Sequence, residues 1–438
     1  MRITDISIQN YKSFRSVKVS PKQVSILVGA NASGKTNFAD CLDFVSEVYR
    51  LGLEVAVARK GGYENIAFRK MRRSKRSVNI ELCIELSVND IKGTFRRNRE
   101  LIRPLQITHS FKFVARGYSI RAEFEVVQEK FIVSTLVEDK WVPTFELRRK
   151  GQKPEVVLLP SVKSLDNDNA LEQFMTKVLD INLIKEVVSA IPVSNTELLV
   201  FVARFFPIFK VYVQATESIR VFQISPYKSR EFGVPTPKPE LDRYGGNLPA
   251  VVDLMQKKHK SEWKSVMEVM RNILPSLRTI DIDYTSSRTL GLYFNEEGIG
   301  RPWSVAEVSD GTIQTLALLV ALFSPNSSVL VIEEPENSIH PWIIRHVLEA
   351  CRDASTHKQI FITTHSPIVI NAVKPEEVWV LWRCDGESHI TNLLQLDPEF
   401  MNMWAQGEIP TFEYIDSGAL PAAIPPIPLE NFELAVEE

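Results

Sequence analysis

One eight-residue segment near the amino terminus constrains the fold more than any other feature of the sequence. The pattern G-x-x-x-x-G-K-[ST] is matched in full by Gly29-Ala30-Asn31-Ala32-Ser33-Gly34-Lys35-Thr36. A buried strand is predicted before it at Val24–Val28, and apolar residues at helical spacing follow from Thr36 to Leu51. Such a loop lets backbone N–H groups curl around phosphate oxygens at a helix N-terminus. The segment therefore predicts a nucleotide phosphate site.

The individual positions of this loop suggest individual roles. Lys35 is expected to bridge the β- and γ-phosphates of ATP, and Thr36 to place its hydroxyl on Mg²⁺. The alternative is a glycine-containing strand-to-helix turn without a ligand. The predicted ATP-binding residues here are Gly29, Ala30, Asn31, Ala32, Ser33, Gly34, Lys35, Thr36 and Asn37.

A second apolar strand ends in two carboxylates, in the sequence Val329-Leu330-Val331-Ile332-Glu333-Glu334. Successive strand residues point to opposite faces, so one carboxylate can hold a metal ion while the other faces the attacking water. Glu333 is the predicted Mg²⁺ carboxylate, and Glu334 is the predicted general base. The alternative is an acidic turn before Pro335.

Two further segments are ambiguous when taken alone. Ser309, Asp310 and Gly311 precede an apolar helix predicted at Ile313–Phe323, and the first two could be simple helix caps. His365 follows another buried strand, where it could reach a γ-phosphate or be a structural residue.

Taken together, these segments resemble the heads of ABC-type ATPases, and more narrowly the RecF/SMC/OLD-like group of AAA/ABC ATPases. The opening Ile8-Gln9-Asn10-Tyr11-Lys12-Ser13-Phe14 is similar to the N-terminal strand motif of that group. So are Asn31-Ala32-Ser33-Gly34-Lys35-Thr36-Asn37 and Tyr244-Gly245-Gly246-Asn247-Leu248. The resemblance covers residues 1–70 and 240–375.

The resemblance implies a dimer in which two protomers enclose two nucleotides. Ser309 and Gly311 of one protomer would complete the phosphate site of the other, although Asp310 replaces the usual first glycine of this motif. Glu334 and Lys35 match catalytic positions, and His365 matches a switch histidine. Glu333 stands where many members have Asp. The stretch 336–338 would face the partner, and the Mg²⁺-positioning glutamine of these heads is not identified.

Two parts of the group's wider architecture are not predicted. No sustained heptads occur between Lys35 and Ser309, so we expect no long coiled-coil arm. Only 73 residues follow His365, which we expect to be too few for the Toprim nuclease domain of OLD proteins. A nuclease or toxin controlled by this ATPase is therefore expected on a separate chain.

The predicted fold class is α/β: a P-loop NTPase of the ABC-type ATPase head kind, with an antiparallel β subdomain and a helical insertion. Alternating apolar and polar residues across 78–160 predict the antiparallel meander, and residues 168–215 and 247–275 have helical spacing. The predicted domains are the head's first part at 1–95, the meander and helical insertion at 96–274, the head's second part at 275–400, and an acidic Pro-rich tail at 401–438.

Charge is distributed unevenly along the chain, although the net charge is only -2. Eleven acidic residues and no Lys or Arg follow Arg383. A basic cluster is predicted to contact DNA through its backbone, with a solvated loop rim or a site for the acidic tail as alternatives. It comprises Arg69, Lys70, Arg72, Arg73, Lys75 and Arg76.

These features predict a cytoplasmic protein without a membrane partner, because the longest clean apolar run, Leu316–Phe323, is too short to span a bilayer. Its expected function is Mg²⁺-dependent ATP hydrolysis by heads that dimerise, or assemble further, on ATP. Hydrolysis would act as a conformational switch in DNA repair or antiphage defence. The alternatives are an ATP-dependent scaffold with negligible turnover and the ATPase subunit of a transporter.

Overall fold

The computed structural model describes residues 1–68, 76–95, 99–116, 123–150, 153–159 and 169–420. Its strands are β1 (Arg2–Tyr11), β2 (Phe14–Val19), β3 (Val24–Val28), β4 (Val78–Leu86), β5 (Leu105–Ala115), β6 (Phe124–Val137), β7 (Lys140–Lys150), β8 (Lys153–Leu158), β9 (Ile219–Phe222), β10 (Leu277–Tyr284), β11 (Leu290–Glu296), β12 (Trp303–Ser304), β13 (Val329–Glu333), β14 (Gln359–Thr364), β15 (Val378–Cys384) and β16 (Glu387–Asn392).

The helices of the same residues flank these strands. They are α1 (Lys35–Leu51), α2 (Leu53–Arg59), α3 (Tyr63–Ile66), α4 (Val88–Ile91), α5 (Asn169–Gln173), α6 (Ile181–Ala190), α7 (Leu199–Val202), α8 (Pro207–Glu217), α9 (Pro226–Ser229), α10 (Leu248–Lys258), α11 (Lys260–Ile273), α12 (Asp310–Phe323), α13 (Pro341–Ala354), α14 (Pro367–Asn371), α15 (Leu393–Leu396), α16 (Phe400–Ala405) and α17 (Thr411–Asp416), with a π-helix at Phe174–Val178 and 3₁₀ turns at Arg99–Leu101 and Pro375–Glu377.

A six-stranded sheet forms the centre of the molecule, in the order β16-β15-β3-β14-β13-β9. All its pairs are parallel except β15–β16. Strands covered on both faces need apolar residues throughout, and all five residues of β3 are buried. The predicted α/β class is therefore confirmed, and the sheet also contains β15 and β16, which the sequence analysis did not predict.

The two faces of this sheet contribute to two different cores. Val329 and Val331 pack into a core shared with α1 and the antiparallel sheet, whereas Leu330 and Ile332 pack into a core that contains α12. Alternation of side chains along β13 explains this division. Helix α1 thus lies between the parallel sheet and the antiparallel sheet.

The antiparallel sheet has seven strands in the order β2-β1-β4-β5-β6-β7-β8. The predicted meander corresponds to β4–β8, which pair in sequence order. This sheet joins strands from both sides of the expected 95/96 boundary, and the division into domains remains a prediction. Together the sheets give the α/β head fold with an antiparallel β subdomain.

The beginning of the predicted acidic tail is folded. The rings of Phe400 and Tyr414 stack with centroids 4.1 Å apart, and Ile415 and Leu420 are buried in the core that contains α12. Apolar burial accounts for this difference, because residues 401–420 supply several apolar side chains among their acids. The prolines from Pro421 onward lie outside the described residues.

Within the described ranges, none of the helices is both long enough and apolar enough to cross a membrane.

Candidate functional site

The register of the central sheet brings three predicted segments to one edge. Val28, the last residue of β3, pairs with Thr364, and Glu333 pairs with Thr363. The loop after β3, the carboxylates ending β13 and the residue following β14 therefore emerge side by side. Ligands of open α/β sheets bind at such carboxyl ends.

The loop after β3 turns tightly into α1. Gly34 caps the helix in the left-handed region with φ of 116°, and a Cβ there would lie 2.6 Å from Ser388 Oγ. A side chain would therefore be both strained and obstructed. Ser33 Oγ is buried and has no hydrogen-bond partner among the described residues. A loop with free polar groups at a helix N-terminus fits a phosphate chain.

The Lys35 side chain lies over this loop. Its Nζ donates hydrogen bonds to the carbonyl oxygens of Gly29 at 2.7 Å and Ala30 at 3.2 Å. Burial lowers the pKa of Lys35 to about 8, while the nearby Glu334 and Glu336 carboxylates act in the opposite direction. The amino group is thus close to both the loop and the acidic residues after β13.

Glu333 is the buried member of the carboxylate pair. Arg243 Nη2 donates to Glu333 Oε1 at 2.6 Å. Burial raises the pKa of Glu333, while Arg243 and a hydrogen bond from Thr36 favour its ionised form. The Thr36 hydroxyl and the Glu333 carboxylate are therefore neighbours, and such oxygen donors fit a Mg²⁺ ion that also binds phosphates.

Glu334 differs from Glu333 in exposure and backbone conformation. Its side chain is 38% exposed, and its φ is 45°. The backbone is held there by a hydrogen bond from Glu334 N to Thr363 O at 2.8 Å, and the carboxylate accepts one from Asn337 Nδ2 at 2.9 Å. A left-handed non-glycine residue stores strain, which functional sites often retain. The carboxylate is accessible to a water molecule.

His365 lies beside this carboxylate, with Nε2 3.9 Å from Glu334 Oε1. Its backbone N–H donates to Glu336 Oε1 at 3.0 Å, and that oxygen also accepts from the Thr364 hydroxyl at 2.5 Å. Burial and the Lys35 charge lower the pKa of His365, opposed by Glu334 and Glu336. The imidazole is therefore neutral at pH 7 and can donate one N–H.

Ser309 and Gly311 lie at the start of another helix, α12. Ser309 is exposed and caps that helix, since its Oγ accepts from Thr312 N at 3.2 Å. Arg230 binds the neighbouring Asp310 carboxylate at 2.6 Å and the Val308 carbonyl at 2.7 Å. The capping role is thus seen directly, and it leaves the helix N-terminus directed toward solvent.

Gly311 also has a close neighbour across the fold. A Cβ at this position would lie 3.1 Å from the carbonyl oxygen of Ser338. The stretch 336–338 and the Ser309 segment therefore share one surface. Both were expected to face a partner protomer.

Sequence reasoning missed several residues of the site. Arg243 adjoins the Tyr244–Leu248 motif, which was the only signal that could have drawn attention to it. Ser388, on the unpredicted strand β16, donates to Ser13 Oγ at 2.8 Å, and Asn37 Nδ2 donates to the same oxygen at 2.7 Å. The hairpin β15–β16 therefore packs against the phosphate loop through Ser388, which lies next to Gly34.

Only one residue of the predicted DNA-binding cluster, Arg76, lies within the described residues. Arg69, Lys70, Arg72, Arg73 and Lys75 lie outside the described residues. Arg76 is described, and its carbonyl oxygen accepts from Tyr63 OH at 2.6 Å. DNA contact through this cluster remains a prediction.

Comparison with known proteins identifies a matching family. The model of a family described as "AAA domain, putative AbiEii toxin, Type IV TA system" matches residues 24–371. A search of curated proteins gives no match.

Solved SMC heads resemble the chain in fold. One is the crystal structure of an SmcHead bound to the C-winged helix domain of ScpA, with a TM-score of 0.50 and 12% identity, covering 89% of this chain and 97% of that one. Another is the SMC head domain from Thermotoga maritima, with a TM-score of 0.42 and 14% identity, covering 90% and 99%. Since the family model spans most of the sequence, the chain belongs to this AAA-domain family and has the fold of an ABC/AAA-type ATPase of the RecF/SMC group.

Proposed function

We propose that the protein hydrolyses ATP with Mg²⁺ and that two copies close around the nucleotides. The observation that carries this proposal is the meeting of Lys35, Thr36, Glu333, Glu334 and His365 at one sheet edge. A second support is the exposed start of α12, which presents Ser309 to solvent.

Each side chain of this edge has a chemical role in the proposal. Lys35 leaves its loop carbonyls to bind the β- and γ-phosphates, and the helix N-terminus adds N–H donors. Glu334 orients the attacking water and accepts its proton, and His365 donates an N–H to the γ-phosphate. Thr36 and Glu333 would hold Mg²⁺, which would neutralise charge on the phosphate oxygens. Ser309 of the second copy completes the donor set.

The wider role that we propose is a conformational switch in DNA repair or antiphage defence, acting on a separate nuclease or toxin. The family resemblance supports a defence setting. The similar SmcHead was solved with a bound protein domain, which makes a separate protein effector plausible for this fold. Measuring ATP turnover with and without DNA tests whether the switch responds to DNA, since DNA should then change the rate of ATP hydrolysis.

Glu334→Gln tests the proposed reaction. The substitution keeps the shape of the side chain but removes the base, so ATP should bind, hydrolysis should slow by about 100-fold, and an ATP-bound dimer should accumulate. Turnover and light-scattering mass with ATP measure the two effects. Glu349→Gln is the matched control, because Glu349 is an exposed residue of α13. Normal turnover by Glu334→Gln would contradict the base role, and wild-type protein that binds ATP without turnover would favour the scaffold alternative.

Masking of the basic cluster by the acidic tail can be tested by truncating the chain. Ending the chain near residue 400 would remove the packed helices α16 and α17, so the cut belongs after Leu420. If residues 421–438 compete with DNA, this truncation should tighten DNA binding at low salt, because all charged side chains of the segment are acidic and would repel DNA phosphates. Unchanged affinity, measured by fluorescence anisotropy at two salt concentrations, would contradict the masking.

A further inference from the structure

An arginine lies directly against the proposed metal carboxylate. Arg243 Nη2 is 2.6 Å from Glu333 Oε1, and its Nη1 is 3.3 Å from Asp43 Oδ2 on α1. The Glu333 side chain is only 2% exposed and that of Arg243 is 22% exposed, so little solvent screens the attraction between the two charges. The position that should attract Mg²⁺ is thus already in contact with a fixed positive charge.

The backbone holds Arg243 in this place. Strand β9 runs beside β13 with Phe222 opposite Ile332, so the next residue, Gln223, lies near Glu333. Gln223 N donates to the carbonyl oxygen of Arg243 at 2.8 Å. The contact therefore follows from the register of the sheet.

A turn on the other side of the arginine restricts it further. The Asp242 carboxylate accepts hydrogen bonds from Tyr244 N and Gly246 N, both at 2.8 Å. An Asx turn of this kind limits the backbone freedom of the residue between them. Arg243 is thus supported on both sides.

The charges around Glu333 explain what such an arginine could do. Asp43 also binds Lys60 at 2.7 Å, so it does not depend on Arg243 alone for a counter-ion. Glu333 would repel the phosphates of a metal-free nucleotide, and Arg243 cancels that charge. Arg243 Nε is buried without a hydrogen-bond partner among the described residues, leaving one donor free.

We propose that Arg243 is a positioning residue which holds Glu333 toward Thr36 and supplies positive charge there before Mg²⁺ binds. Its guanidinium and Mg²⁺ compete for the same carboxylate. Arg243 thus strengthens binding of metal-free ATP and weakens binding of the metal. This inference rests on the proposed nucleotide site.

Equilibrium binding of a fluorescent ATP analogue to the full chain tests the inference. It is measured in EDTA and across a Mg²⁺ titration. Arg243→Gln should lose about tenfold in affinity for the metal-free analogue and should need less Mg²⁺ for half-saturation, because Glu333 is no longer neutralised. Arg243→Lys keeps the charge and should bind the metal-free analogue nearly as well as wild type.

Two further variants separate this role from a structural one. Glu333→Gln leaves Arg243 without its anion, so metal-free binding should strengthen and the Mg²⁺ response should weaken. Arg352→Gln removes another part-buried Arg–Glu pair, with Glu377, and should leave both responses unchanged. If Arg243→Gln does not fold, Glu333→Gln alone decides the outcome.

The possible contradictions can be told apart. Equal affinity losses with and without Mg²⁺ in Arg243→Gln, or unchanged metal-free binding in Glu333→Gln, would overturn the inference while leaving ATP binding intact. Failure of the wild-type chain to bind the analogue under any condition would instead remove the proposed function.

Discussion

Two helix starts in this molecule, those of α1 and α12, have opposite surroundings. Helix α1 begins at Lys35, which is buried against its loop and close to the carboxylates after β13. Helix α12 begins after Ser309, which is exposed and contacts Thr312 of its own first turn. Both N-termini carry partial positive charge that favours phosphate.

One helix start is surrounded by its own chain, and the other is open to solvent, where the proposed function requires a second chain. Arg230 keeps the α12 start ordered by binding Asp310, although Ser309 stays accessible. The proposed ATPase is therefore built from two unlike halves, one from each protomer.

The largest effect is expected at Lys35. Lys35→Met should reduce both ATP affinity and turnover on the order of 100-fold, because a cation facing the phosphates is lost. Binding of a fluorescent ATP analogue and phosphate release measure the two losses.

The control for this variant is Lys358→Met. Lys358 is also a largely buried lysine, and burial lowers its pKa to about 8. Its Nζ donates to Ser327 Oγ at 3.1 Å, away from the phosphate loop in the sequence. This variant should lose stability but keep ATP affinity. Equal loss of ATP affinity in both variants would mean that the effect at Lys35 is merely structural.

The exposed helix start should give a different result. Ser309→Arg places a bulky charge where a second protomer must approach, so turnover should fall at least tenfold while ATP binding to the isolated protomer stays unchanged. Titration with the ATP analogue measures binding, and phosphate release measures turnover. Weaker ATP binding at low protein concentration would place Ser309 in its own chain's site and would remove the distinction between the halves.

The smallest effect should come from His365 and should depend on pH. Because its pKa lies below the ordinary 6.5, the imidazole stays neutral as pH falls to that value and becomes protonated only at lower pH. Protonation would place a positive charge 3.9 Å from the Glu334 carboxylate and weaken it as a base, so wild-type kcat/KM should decline below pH 6.5. His365→Gln should be about tenfold slower and lack this decline. A low-pH decline that persists in His365→Gln would assign it to another group.

Sequence patterns predicted the parts of the fold that depend on neighbouring residues. The phosphate loop and Glu333-Glu334 are short segments with their own strands, so periodicity and spacing were sufficient to locate them. The possibility that Ser309 is a cap is confirmed, because a Ser before an apolar helix is a common helix start. Asp310 is instead the first residue of α12 and pairs with Arg230.

The missing parts depend on contacts between distant segments. Arg243 and Glu333 are 90 positions apart, and Ser13 and Ser388 are 375 apart. These pairs are made by the register of β9 and by the β15–β16 hairpin, neither of which a single-sequence pattern reveals. The first part of the predicted tail also packs on the core, through apolar residues such as Tyr414 and Ile415 that lie between its acids and form no local pattern.

Mixing two inactive variants tests the two-chain site most directly. In a dimer of Lys35→Met with Ser309→Arg, the intact phosphate loop of one chain meets the intact Ser309 of the other, so one composite site is restored. Random pairing of equal amounts would recover up to about a quarter of wild-type ATP turnover, since half of the dimers would be mixed with one working site each. The one substituted Ser309 in each mixed dimer hinders association and lowers this value. Turnover no greater than the sum of the two variants measured separately would contradict the account.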